Sequence, residues 1–109
     1  MKYSVEKMHE IKYGRRSGKS VDAMADLIGK IMVTENETIV LVVKMMNRAD
    51  HLLQLFTDLC KNHFDETPIV KNKFEWGIRN YSSRIKVMNM QEWDKMQFWY
   101  QTIPTFDLD

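Results

Sequence analysis

The chain has 109 residues, 44% of them hydrophobic and 28% charged, the make-up of one globular domain spanning residues 1–109. A formal net charge of +1 removes any global pull toward nucleic acid or acidic membranes, and no apolar run approaches the roughly 20 residues of a membrane span. Cys60 is the only cysteine, which excludes an intrachain disulfide. Together with an amino terminus too polar for a secretory signal, it fits a reduced, cytoplasmic setting.

Met1 to Lys7 is polar and mixed, a lead-in. Met8 to Tyr13 is expected to be a strand, although it alternates polar and apolar residues where a central parallel strand normally runs apolar throughout. Next comes Tyr13-Gly-Arg-Arg-Ser-Gly-Lys-Ser20. It has the Gly-Lys-Ser ending of the phosphate-binding pattern G-x-x-x-x-G-K-[ST], with the first glycine one place late, at Gly14. The chemistry is legible. Gly18 allows close approach of backbone to a phosphate, Lys19 reaches outer phosphates as a point charge, and Ser20 can sit on a magnesium ion. The N–H groups of the following helix point at the anion.

Lys19 to Val33 is predicted helical, with Val21, Met24, Leu27, Ile28, Ile31 and Met32 on one face and Asp22, Asp26 and Lys30 off it. Gly29 weakens it locally. Thr34 to Glu37 connects to Thr38–Lys44, whose Ile-Val-Leu-Val-Val run predicts a strand buried on both faces. Asn47 is placed to cap a helix over Arg48–His63 with Leu52, Leu55, Phe56, Leu59 and Cys60 as its stripe. On that stripe Cys60 reads as a small core hydrophobe. Asp65 to Pro68 breaks the helix.

Lys73–Ile78 and Ser83–Met88 alternate and predict a hairpin turning at Arg79–Ser82. The stretch is rich in basic and aromatic residues: Phe74, Trp76, Arg79, Tyr81, Arg84 and Lys86. A stacking platform for single strands is one reading. The favoured one is a hairpin with aromatics inside, because Phe74, Trp76 and Ile78 share a face. Asn89-Met-Gln-Glu92 has the form of a capping box before a short helix with Trp93, Met96 and Trp99. Pro104 ends that region. His9, His51 and His63 lack metal-ligand spacing.

In this order the features resemble the amino-terminal ATPase region of phage terminase large subunits, the motors that drive DNA into viral capsids. Gly14–Ser20 looks like that family's arginine-containing Walker A loop, and Thr38–Met45 like the strand after it. Asn80–Val87 looks like its Asn-Gly-Ser-basic-Ile strand. Asp94-Lys95 falls where an acid and a base often follow, and Phe106–Asp109 looks like the approach to the Walker B strand.

The resemblance implies an α/β fold: a P-loop-type βαβ core with a carboxy-terminal β-hairpin, an incomplete three-layer sandwich. It implies ATP and Mg2+ as ligands. Gly14, Ser17 and Gly18 would form the loop, Lys19 would bind the β- and γ-phosphates, and Ser20 would hold the metal. Arg15 or Arg16 would stabilise transition-state charge. Double-stranded DNA and other motor subunits would be partners, in a host cytoplasm. The family's Walker B acid pair is expected just beyond Asp109, so the chain is expected to bind nucleotide without hydrolysing ATP alone. The alternative is a small non-enzymatic interaction module that takes a host protein or nucleic acid through the basic hairpin and the acidic tail.

Overall fold

Apolar stripes of two periods set the architecture. The computed structural model describes the backbone of residues 18–107 and the side chains of residues 20–107. The expected strand Met8–Tyr13, the residues Gly14, Arg15, Arg16 and Ser17, and the side chain of Lys19 lie outside the described part.

Helix α1 is Gly18–Val33. Its stripe of Val21, Met24, Leu27, Ile28 and Ile31 is buried, while Asp22, Asp26 and Lys30 face outward. The Lys30 carbonyl accepts from both the backbone N–H and the hydroxyl of Thr34, at 3.1 and 2.6 Å, which satisfies one of the helix's last carbonyls. Asn36 then reverses the chain at a φ of 55°, a left-handed conformation that asparagine tolerates better than most residues.

Strand β1, Thr38–Val43, is buried on both faces as expected. Ile39, Leu41 and Val43 join the main core with the helices, whereas Val40 and Val42 pack with Met88 on the opposite face. A 3-10 turn over Met46–Arg48 leads into α2, Ala49–Asn62. Here the expectation for Asn47 is corrected. Arg48 holds the cap position, without a side-chain cap bond, because the 3-10 turn already carries the backbone into helical geometry. The α2 stripe of Leu52, Leu55, Phe56, Leu59 and Cys60 is buried.

Strand β2, Pro68–Asn72, has no counterpart in the sequence reading. Ile69 and Val70 are about half exposed, 50% and 48%. It is an edge strand opened by a proline, where a missing N–H costs nothing. It pairs antiparallel with β3, Glu75–Ile78, which pairs antiparallel with β4, Arg84–Asn89. The expected hairpin is therefore present, turned through Asn80 at a φ of 76°. Phe56 and Trp76 meet with ring centroids 5.3 Å apart, tying α2 to the sheet.

Asn89 caps α3, Met90–Met96, through the expected capping box: its side chain accepts from Glu92 N–H at 2.8 Å. Trp93 and Tyr100 cover Val40, Val42 and Met88, so α3 lies on the sheet face opposite α1 and α2. After a 3-10 turn over Gln97–Trp99, β5, Thr105–Asp107, joins the sheet, which among the described residues has five strands, mixed, in the order β2-β3-β4-β1-β5. β1 runs parallel to both neighbours. The described residues form an open α/β sheet with helices on both faces.

Candidate functional site

The carboxyl ends of two parallel strands and the start of α1 bring together residues far apart in the chain. In the β1–β5 register Val43 stands beside Asp107. Side chains alternate along a strand, so Asp107 shares Val43's face, the one covered by α1 and α2. There Asp107 is 8% exposed and its carboxylate meets Ser20 in the first turn of α1, itself 9% exposed. The Ser20 hydroxyl donates to Asp107 Oδ2 at 3.3 Å.

Arg48 enters from the turn after β1. Its Nη2 donates to Ser20 Oγ at 3.0 Å and lies 3.5 Å from Asp107 Oδ2. One hydroxyl thus links a guanidinium to a carboxylate, and the buried charge of Asp107 is paired as its burial demands. Arg48 Nε is buried with no hydrogen-bond partner among the described residues.

Of the residues singled out in sequence, Gly18, Lys19 and Ser20 open α1, and Ser20 lies in this cluster. The sequence reading missed Asp107 and Arg48. The Walker B acid pair expected beyond Asp109 lies outside the described residues; within them the carboxylate beside Ser20 is Asp107. The available signal was the short run after Pro104, which resembles the approach to a Walker B strand but does not by itself bring Asp107 to Ser20. Arg48 read simply as the first residue of a helix.

The hairpin resolves toward the core reading. Trp76 is buried and its Nε1 donates to the Lys73 carbonyl at 2.9 Å, while Phe74 packs against the main core. Arg84 faces outward, Lys71 reaches Glu75 at 3.7 Å and Lys73 reaches Asp50 at 3.3 Å. The rings needed for stacking bases are thus turned inside.

Cys60 is buried, and burial, with a smaller contribution from the Glu66 charge, pushes its thiol up to about 12, so it is not a poised nucleophile. His51 is exposed and His63 buried. Among the described residues no group of three or more His, Cys, Asp or Glu is arranged to hold a metal, and no helix is long and apolar enough to cross a membrane. Among the described residues three concavities lie elsewhere: one of about 290 Å³ lined by Lys30, Thr34 and Ile39, one of about 340 Å³ beside Gly77 and Arg84, and one of about 330 Å³ lined by Met32, Asn80 and Ser82. None of them includes Ser20, Arg48 or Asp107.

Comparison with protein-family models, with curated proteins and with solved structures yields no match to this chain.

Proposed function

We propose that this chain is the nucleotide-phosphate-binding part of a P-loop ATPase of the phage terminase large-subunit type, taking ATP with Mg2+ in the service of DNA packaging. One observation carries the reading. The hydroxyl of a Gly-Lys-Ser helix start, that of Ser20, lies 3.3 Å from a buried carboxylate, Asp107, at the end of a parallel strand.

Magnesium is bound by hard oxygen donors, usually one or two from protein with phosphates and water completing the shell. Ser20 Oγ and Asp107 Oδ2 are such a pair, so the residues present fit the ion. When bound, Mg2+ neutralises charge on the phosphates. In this reading Lys19 pairs with the outer phosphates, and Gly14, Ser17 and Gly18 bring backbone N–H groups to them. Arg15 or Arg16 would supply positive charge to the terminal phosphate. Double-stranded DNA and further motor subunits are the partners it implies. Binding, and not hydrolysis by this chain alone, is expected: Asp107 is already engaged by Ser20 and Arg48, so it is no free base for an attacking water.

Isothermal titration with ATP and ADP, with and without Mg2+, tests the reading. Magnesium-dependent binding is expected, abolished by Lys19→Ala and weakened in its metal dependence by Asp107→Asn. No binding at millimolar nucleotide sinks it.

A further inference from the structure

We infer that Arg48 is a built-in counter-cation of the Ser20–Asp107 pair: its guanidinium holds the two oxygens that a metal ion would need, and it has to release them before one is held. The identity of the metal as Mg2+ rests on the phosphate-binding reading above. The competition itself rests on the geometry of three side chains.

A single nitrogen, Arg48 Nη2, serves both oxygens, at 3.0 Å from Ser20 Oγ and 3.5 Å from Asp107 Oδ2. The two oxygens are 3.3 Å apart. A magnesium ion contacts its ligands at about 2.0–2.1 Å, so an ion on both oxygens would stand only a few ångströms from the guanidinium. At such separations like charges repel strongly where water is largely excluded. The lone pair of Ser20 Oγ that accepts from Arg48 is also one a metal would claim. Both cations cannot be satisfied by the same pair.

The way out for Arg48 is built in. Asp107's side chain is 7% exposed, but that of Arg48 is 28% exposed, so part of the arginine side chain meets solvent while the acid stays inside. Its Nε has no partner among the described residues, which leaves Nη2 as the attachment seen here. The arrangement solves a problem of the resting protein. A buried carboxylate without a cation is costly, and Arg48 supplies the positive charge until another arrives. It therefore tunes metal affinity downward without taking part in phosphate contact.

The experiment compares the full chain with its Arg48→Gln and Arg48→Lys variants. Mn2+ serves as the probe, followed by electron paramagnetic resonance without nucleotide, and circular dichroism monitors folding. Arg48→Gln should bind Mn2+ about tenfold more tightly than the parent, the scale of one charge-assisted hydrogen bond. Arg48→Lys, which keeps the charge and loses the planar fork, should fall between them. Asp107→Asn added to Arg48→Gln should remove the gain.

Equal Mn2+ affinity in parent and Arg48→Gln overturns the inference. So does weaker nucleotide binding by Arg48→Gln in the absence of metal, which would make Arg48 a phosphate ligand. If Arg48→Gln does not fold, Arg48→Lys decides by the same Mn2+ comparison. The Mn2+ measurement needs no nucleotide. Failure of every variant to bind ATP therefore sinks the phosphate reading separately, while nucleotide binding with unchanged Mn2+ affinity sinks only the role of Arg48.

Discussion

Ser20 and Asp107, 87 positions apart in the chain, share a hydrogen bond of 3.3 Å that ties the first turn of α1 to the last residue of β5. Ser20→Ala removes one donor and leaves Asp107 its arginine, so a loss of about 0.5–1.5 kcal/mol is expected. Asp107→Ala leaves the Arg48 head without its acid. Because Arg48 is partly exposed and can turn to water, the loss stays near the lower part of about 1–3 kcal/mol. Urea unfolding reads both as lower midpoints at unchanged slope. An Asp107→Ala midpoint equal to the parent's means that the pair does not form in solution.

Gly29 offers a substitution of the opposite sign. It lies inside α1, and a Cβ built there meets nothing within 4 Å. Alanine restricts the unfolded chain and suits helical backbone, so Gly29→Ala should stabilise by about 0.4–1 kcal/mol. A thermal midpoint at or below the parent's contradicts this account of α1.

His63 predicts a pH dependence. Burial holds it below its ordinary value of 6.5, and its ring nitrogens find no hydrogen-bond partner among the described residues. The unfolded chain protonates this residue near pH 6.5, the folded chain only at lower pH. Between those points the unfolded state binds more protons, so the contribution is complete above about pH 6.5 and declines as pH falls through that range. His63→Phe should flatten the dependence of the urea midpoint between pH 7.5 and 5. Parallel curves for parent and variant rule out His63 as its source.

Cys60 gives a kinetic check on the core. With the thiol buried and pushed up to about 12, the thiolate that reacts with disulfide reagents is scarce and shielded. Labelling by an aromatic disulfide should be slow in the native protein and immediate in denaturant. Prompt native labelling would place Cys60 outside the α2 stripe.

Local rules made much of the fold legible. The stripes of α1 and α2, the doubly buried β1 and the Asn89–Glu92 capping box each depend on neighbours within a few positions. Strand β2 escaped because Ile69 to Asn72 are exposed, and only pairing with β3 makes them a strand. Asn47 lost its capping role to a 3-10 turn whose presence no single residue announces. The site divides in the same way. Gly18, Lys19 and Ser20 form a local motif. Asp107 gains its meaning from the parallel register beside Val43, and Arg48 from the direction in which the turn after β1 aims it. No spacing rule connects positions 20, 48 and 107.

β5 has three residues and pairs with one strand among those described. Asp107's side chain adds to that pairing a tie to the first turn of α1 and to Arg48. Fastening and occupancy then draw on one free energy. A ligand that holds Ser20 and Asp107 together more firmly than Arg48 does would tighten β5, and release of β5 would weaken that ligand by the same factor. Hydrogen exchange at Thr105–Asp107 would register this as slower exchange on addition of metal and nucleotide. On the phosphate-binding proposal, β5 would then report on what the first turn of α1 holds.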